Sequence, residues 1–278
     1  MTQQAGKLWV VATPIGNLDD LSARARQVLA QADFIAAEDT RHSSALLQHF
    51  GIATRRIALH EHNERKIADE LVERLRAGAQ IARISDAGTP LVSDPGFRLV
   101  RAARAAGIAV SPVPGACAAI AALSVAGLPS DAFVFEGFLP PKPAARREHL
   151  RALRSEARTL VFYESSHRIA AMLADCAAEF GGDRRAVVAR ELTKLFETVL
   201  DGPLAELAAR VEADADQQRG EFVVLVAGAA QEAAAARLAN GRRIFELLRA
   251  ELPPGRAARL AAEISGAPRN ALYETERS

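Results

Sequence analysis

The chain has 278 residues, 49% hydrophobic and 25% charged, with 35 Lys and Arg against 34 Asp and Glu for a formal net charge of +1. That composition excludes a disordered or fibrous polymer and leaves room for two domains of roughly 100–150 residues. It also excludes nucleic-acid binding through global charge, so any such affinity has to come from local basic patches.

In chain order, short β-rich runs ending in turn residues alternate with helical patterns. "LWVVATPIG" precedes "DLSARARQVLAQ", "DFIAAEDT" precedes "SSALLQHFG", "RRIALHEHN" precedes "ERKIADELVERLRAG", and "QIARISDAG" precedes a helix after Asp94. This rhythm predicts an α/β fold with helices packed on a mainly parallel sheet, since parallel neighbours need a crossover connection. Near residue 130, "GLPSDAF" and "GFLPPKPAARR" interrupt the alternation, and new strands follow in "FVFEGFL", "RTLVFYES", "RAVVARELT", "ETVLDG" and "GEFVVLVAG". From about Ala229 the patterns "AQEAAAARLAN", "RRIFELLRAEL", "GRAARLAAEIS" and "PRNALYETER" are all helical. A turn at Gly266 between the last two suggests a helix–turn–helix. Three units are expected: residues 1–128, 129–228 and a helical tail, 229–278.

Cys117 and Cys176 lie apart in alanine-rich surroundings, which argues against a disulfide framework or zinc cluster and fits a reducing compartment. The first residues lack a basic segment followed by a long apolar core, and the most apolar run, "ACAAIAALSVAGL", is too short to cross a bilayer. A cytoplasmic protein without membrane association is expected.

The stretch "SDAGTPLVSDPG", Ser85 to Gly96, places Asp86 at the carboxyl edge of a strand ending at Ile84. Ser93 or Asp94 followed by Pro95 reads as an N-cap with proline in the first helical position. Two well-made turns would explain such a loop alone, but "TPIGNLDD" and "SPVPGACAA" repeat the signature at other strand ends, where α/β folds bind ligands. Neither G-x-x-x-x-G-K-[ST] nor G-x-G-x-x-G opens a helix here. These loops carry Asp19, Asp20, Asp86 and Asp94 and no lysine, which suits an uncharged or cationic ligand better than a phosphate.

The blocks "VVATPIGNLDDLSARA", "AAEDTRHSSALLQHFGI", "ISDAGTPLVSDPGFRLV", "VPGACAAIAALSVAGLPSDAFVFEGFLP", "RTLVFYESSHRI" and "VARELTKLFETV" closely resemble the 16S ribosomal RNA cytidine 2′-O-methyltransferases of the tetrapyrrole methylase superfamily. The resemblance spans residues 7 to 276. It implies two α/β domains with S-adenosylmethionine in the cleft between them, a cytidine of 16S RNA as acceptor, either in the naked RNA or in the 30S subunit, and a homodimer. Carried over by position, it implies a cofactor site of Pro14, Asp86, Ala87, Leu91, Cys117, Ala118, Phe138, Ala189, Leu192 and Glu221.

On the acceptor side, "AEDTRH" and "LHEHNE" end strands two and three, so Glu38, Arg41 and Asn63 are candidates to position the nucleotide, with Asp39 or His60 as catalytic base. The alternative is that Asp39 and Thr40 cap the next helix and Arg41 pairs with Asp39. Glu191 either faces the cleft or starts a surface turn. His60 and His62 share a strand face without further ligands nearby, so no metal site is expected. RNA phosphates require local positive charge; Lys142, Arg146, Arg147, Arg151 and Arg154 cluster on one helical pattern, either as an RNA contact or as a solvated face. Arg256, Arg259 and Arg269 of the tail either contact RNA or pack on the body. Two other functions fit less of the sequence: methylation of a tetrapyrrole or other small acceptor, and a nucleic-acid-binding regulator.

Overall fold

The computed structural model describes residues 6–60 and 62–272. Five strands form the first sheet: β1 (Lys7–Val11), β2 (Phe34–Ala37), β3 (Arg56–Ala58), β4 (Gln80–Ile84) and β5 (Ala109–Val113). Their spatial order is β3-β2-β4-β1-β5, and all are parallel. The crossovers carry α1 (Ala23–Gln31), α2 (His42–His49), α3 (Glu64–Arg76) and α4 (Phe97–Ala105). Helices on both faces bury the sheet on both sides. One core gathers Leu29, Ile35, Leu47 and Ile84, the other Leu8, Leu71, Ile81 and Leu99. Central strands of such sheets are near-continuous apolar runs; β4 (QIARI) opens on half-buried Gln80 and departs from the rule within its buried stretch at Arg83.

After β5 the chain enters α5 (Ala118–Val125) and then a second sheet: β6 (Phe133–Phe138), β7 (Thr159–Ser165), β8 (Arg185–Arg190), β9 (Thr198–Pro203) and β10 (Glu221–Val226). The order is β6-β7-β10-β8-β9, with only β6 and β7 parallel. Helices α6 (Pro143–Ala152), α7 (Ile169–Phe180) and α8 (Leu204–Ala213) cover one face around Phe162, Met172, Leu173, Cys176 and Val224. The other face is covered by α5, whose Ala119, Ala122 and Leu123 pack on Val161, Val187, Val223 and Leu225. Small side chains on α5 let its backbone approach the sheet, so the helix leaving the first sheet closes the core of the second.

The tail folds as α9 (Ala230–Arg249) and α10 (Pro254–Ser265) followed by a short turn at Arg269–Leu272. Its small core is Phe245, Ala257, Ala258, Ala261, Ala267 and Leu272. Gly266, at φ 69°, ends α10 in the left-handed conformation that glycine adopts without strain. The end of the pattern "PRNALYETER", beyond Leu272, lies outside the described residues. No described helix is long and apolar enough to cross a membrane.

The start of α4 differs from the expectation. Neither Ser93 nor Asp94 caps it: the helix begins at Phe97, with Gly96 at φ 129° as N-cap. Ser93 is itself left-handed at φ 65°, and the Ser85 hydroxyl is directed at the Ala87 and Gly88 carbonyls of the same loop. The cap comes from α3 instead. Buried Glu64 accepts hydrogen bonds through Oε1 from the N–H of Gly96 (3.1 Å) and of Arg98 (2.7 Å). Glu64→Ala leaves both donors unpaired, and an expected loss of about 1–3 kcal/mol in urea unfolding follows; a change near zero would show that water replaces the carboxylate.

Candidate active site between the two sheets

The carboxyl edges of β1 and β4 are stitched together beyond the sheet. Thr13 and Gly88 exchange backbone hydrogen bonds of 2.9 and 3.1 Å, and Thr89 Oγ1 donates to Ala116 O at 2.9 Å. These links hold the β1, β4 and β5 loops on one side of a cavity of about 520 Å³. From the first sheet it is lined by Ile15, Glu38, Asp86 to Thr89 and Val92 to Asp94, and from the start of α5 by Cys117 and Ala118. The second sheet contributes Phe138, Tyr163 to Ser166, Ala189, Leu192, Lys194 and Gly220 to Val223.

Backbone conformation in two of these loops is unusual. Among the described residues, the non-glycine residues with positive φ are Leu91 (73°), Ser93 (65°), Glu191 (51°) and Thr193 (67°). Each pair flanks a residue lining the cavity, Val92 or Leu192, as expected where local strain serves a site. The loops also press closely on their neighbours. A Cβ on Gly137, which sits at φ 64° where the β6–β7 register shifts, would lie 2.9 Å from Ser93 Oγ.

One wall is apolar and aromatic. Phe135 and Phe138 meet Tyr163 edge-on with centroids 5.0 and 5.7 Å away, and Phe138 remains 56% exposed. The Tyr163 hydroxyl accepts the N–H of Ala119 at 3.1 Å, fixing the start of α5 to β7. Burial, with Cys117 beside it, pushes the phenol pKa above its ordinary value.

The opposite wall is acidic and organised by Arg83, which is 0% exposed. Its Nη1 donates to Ala36 O (3.2 Å) and to Ile84 O, and its Nη2 to Pro95 O (2.7 Å). Burial lowers the guanidinium pKa, opposed by the carboxylates of Glu38, Asp94, Glu64 and Asp86 around it. Glu38 is shifted upward, first by burial and then by Asp94 and Asp86; Asp94 is also raised, chiefly by burial. Asp86 accepts the N–H of Asp39 at 3.0 Å, which ties the end of β2 to the end of β4.

The structure brings together Glu38, Asp86, Ala87, Cys117, Ala118, Phe138, Ala189, Leu192 and Glu221 around the cavity. Pro14 and Leu91 stand behind it as loop residues. The Pro14 carbonyl takes a 3.4 Å contact from Gly88 N, and Leu91 packs toward Gly96. The first-sheet loops carry no lysine, but the cavity meets one from the other side. Lys194 reaches the wall from the second sheet and donates to Glu191 Oε1 (2.8 Å) and Glu221 Oε2 (2.9 Å). Burial disfavours its charge, yet these hydrogen bonds outweigh burial and raise its pKa.

The other acceptor-side residues do not line the cavity. Asp39 closes a local turn by accepting Arg41 N–H (2.8 Å) and pairs with the Arg41 guanidinium at 3.1 Å. That hydrogen bond holds the Asp39 pKa at about 2, too acidic for an effective base. His60 and Asn63 follow β3, an edge strand of the sheet. The Asn63 side chain is spent on the turn, accepting from His60 N (2.9 Å) and donating to Ala58 O (3.0 Å).

The expected basic RNA contact on α6 is largely neutralised. Arg146 is buried against Asp175 at 2.7 Å, Arg147 lies 3.8 Å from the same carboxylate, and Arg151 pairs with Glu179 at 2.8 Å. Lys142 remains exposed at the start of the helix. Sequence reasoning missed Tyr163, Glu164, Ser165 and Ser166, although "FYESS" ends a strand by the same rule that located Asp86. Among the described residues, no group of three or more His, Cys, Asp or Glu is arranged to hold a metal ion.

Comparison with known proteins covers nearly the whole chain. Residues 7–208 match the family described as Tetrapyrrole (Corrin/Porphyrin) Methylases, and residues 235–275 match the RsmI C-terminal HTH domain. A relative from Xylella fastidiosa strain Temecula1, called ribosomal RNA small subunit methyltransferase I, is 62% identical over 268 residues, 96% of this chain and 98% of its own. A protein of the same name from Pseudomonas aeruginosa is 60% identical, covering 97% and 96%. Uroporphyrin-III C-methyltransferase from Thermus thermophilus, solved in complex with S-adenosylhomocysteine, shares the fold at a TM-score of 0.55 and 19% identity, over 81% of this chain and 98% of that one.

Arg83→Met tests the acidic wall. Removing the cation from among buried carboxylates is expected to cost about 3–5 kcal/mol. The sign with pH follows from Glu38 and Asp94, whose folded pKa values are already raised and rise further without it. Between the unfolded and folded values the native state holds protons that the unfolded chain has released. Stability therefore falls as pH increases through that window and recovers in part on acidification to about pH 5. Urea midpoints measured near pH 5 and near neutrality should show the larger deficit near neutrality; equal deficits would leave Arg83 a packing role only.

Proposed function

The chain belongs to the tetrapyrrole methylase family, and we propose that it methylates small-subunit ribosomal RNA, with S-adenosylmethionine as donor and a cytidine ribose 2′-hydroxyl in the decoding region of 16S RNA as acceptor. The observation that carries this reading is the cavity itself, which pairs an acidic wall with an aromatic one and is completed by both sheets. Full-length similarity to methyltransferases named for that RNA supports the choice of acceptor over a tetrapyrrole.

The residues suit the donor. A cavity of about 520 Å³ is the size of a cofactor site. Ala118, Phe138, Tyr163, Ala189 and Leu192 offer apolar contact for a nucleobase, while Asp86, Asp94 and Glu221 complement a cationic sulfonium, an amino group and ribose hydroxyls. Pro14 and Leu91 shape this cradle from behind. When bound, S-adenosylmethionine supplies a methyl group activated by its sulfonium. The protein's task is to align the acceptor oxygen and to exclude water.

A ribose hydroxyl is a weak nucleophile and gains from a positioned base. Asp39 and His60 were the expected candidates, but Glu38 is the carboxylate at the end of β2 that faces the cavity. Its raised pKa makes it a stronger base than an ordinary carboxylate. In this reading Glu38 would take the proton of the acceptor hydroxyl, the donor when bound would supply the methyl group and leave as its neutral sulfide, and the Arg83 charge, fixed on the carbonyls of Ala36, Ile84 and Pro95, acts on Glu38 through its field. The proposal includes a homodimer working in the cytoplasm beside its ribosomal substrate; exposed Ile120 and Val125 on α5 and Phe133 on β6 are apolar side chains that a second copy would cover. It also keeps the three-unit division at residues 1–128, 129–228 and 229–278.

Tritium from labelled S-adenosylmethionine should pass to 30S subunits or 16S RNA. Transfer confined to a small-molecule acceptor would replace this reading. Asp86→Ala should weaken donor binding at least about tenfold by calorimetry while retaining a cooperative melt. Glu38→Gln should lower kcat by about a hundredfold or more, leave donor affinity within a few-fold, and abolish the acidic limb of the pH–rate profile, on which activity rises as Glu38 loses its proton. If the limb survives in Glu38→Gln and disappears in Asp39→Asn or His60→Ala, the base is reassigned.

A further inference from the structure

With the α6 arginines tied to Asp175 and Glu179, the RNA backbone needs another cationic path. A groove of about 360 Å³ lies between α3 and α4, lined by Arg65, Asp69, Arg98 and Arg101 over a floor of small alanines. Its arginines are exposed. Neither Arg65 nor Arg101 has a carboxylate partner among the described residues. Arg98 is 3.9 Å from buried Glu64, and Arg101 lies over the Phe97 ring at 5.5 Å.

Two features give this groove a direction and a purpose. First, α3 and α4 follow parallel strands β3 and β4, so both helices begin at the carboxyl edge, where the cavity opens. Arg65 and Arg98 are each the second residue of their helix, within a turn of that edge. Second, cations in a first helical turn oppose the helix dipole. Arg65, Lys66 and Arg98 all occupy such positions, and the one acidic group that favours the start of α4, Glu64, is buried beneath them. Fold stability is not served by this placement; an external polyanion is.

We propose that the α3–α4 groove binds the phosphate backbone of the RNA acceptor and delivers the strand over Phe97 and the loop Val92–Asp94 into the cavity. The inference rests on the RNA reading above. The guanidiniums position the strand and carry no base specificity, so their removal acts on RNA affinity and leaves the chemistry intact.

The test compares the wild type with the triple variant Arg65→Ala, Arg98→Ala, Arg101→Ala, using filter binding of 16S RNA and 30S subunits over a salt series. The variant should bind at least about tenfold more weakly, and its log–log salt slope should be shallower by about 2, from three lost contacts at about 0.7 each for a single strand. KM for 30S subunits should rise with kcat and donor affinity unchanged. Asp69→Asn, which removes the one carboxylate lining the groove, should tighten RNA binding, a gain that no misfolded variant can imitate. Unchanged affinity and slope in the triple variant would overturn the proposal while methyl transfer left the RNA reading standing. Loss of donor binding, or a changed oligomeric mass by light scattering with RNA affinity intact, would overturn it in favour of a role in the cavity or in self-association. If the wild type neither binds nor methylates the RNA, the function itself is wrong and the groove falls with it.

Discussion

A guanidinium with no exposed surface, placed in the middle of a parallel sheet, is the constraint on which the site depends. Burying Arg83 costs several kcal/mol in desolvation, and a hydrophobic residue would fill β4 more cheaply. What the cation provides is attachment. Its donors reach the carbonyls of Ala36, Ile84 and Pro95, so the ends of β2 and β4 and the far side of the Ser85–Gly96 loop meet at one group. The same charge lets Glu38, Asp86, Asp94 and Glu64 crowd together, an arrangement whose mutual repulsion would otherwise keep the wall from forming. Neutralisation is incomplete, and the excess negative charge is complementary to a sulfonium cation.

The second constraint is that neither sheet completes the cavity alone. Helix α5 begins at the edge of the first sheet, yet its buried face belongs to the core of the second, and the Tyr163 hydroxyl holds its first turn. Lys194 extends the coupling on the opposite rim, where its stem runs against Gly16. A Cβ at that glycine would stand 2.3 Å from Lys194 Cγ. A side chain at Gly16 would therefore meet the Lys194 stem, so the first-sheet loop and the second sheet approach each other closely at this rim.

Local signals were readable in the sequence, and contacts between distant segments were not. Alternation of strand and helix, the crossover rule and the Gly/Pro punctuation around Asp86 are all properties of neighbouring residues, and they led to the first sheet and its loops. The start of α4 was misread because its cap, Glu64, arrives from 32 residues upstream. Arg146 looked like a free cation because its partner, Asp175, lies 29 residues on. Lys194 was not expected at the site because it comes from the other sheet, while the first-sheet loops themselves carry no lysine. Arg83 carried a readable signal: a charged residue inside the run "QIARI" either breaks the strand or is buried for a reason. Asp39 and Glu38 are adjacent in sequence, and only the conformation of the β2 end decides that Glu38 faces the cavity while Asp39 turns back to Arg41.

The two sides of the site are built differently, and the chemistry explains why. Around the proposed donor, shape comes from backbone: the Thr13–Gly88 bridge, the bulge at Gly137 and four non-glycine residues held at positive φ. Each such residue costs on the order of 1–3 kcal/mol, a strain that only a well-packed junction can sustain. Rigid backbone presents amides and carbonyls at fixed points without spending side-chain entropy on each encounter. The acceptor of the proposed reaction is a long polyanion that must arrive, be read and leave. Exposed guanidiniums on helices α3 and α4 suit that task, because they act over a Debye length and release the strand as salt competes. A strained, preformed cradle beside a loose electrostatic track is what a reaction joining a small fixed donor to a large mobile acceptor requires.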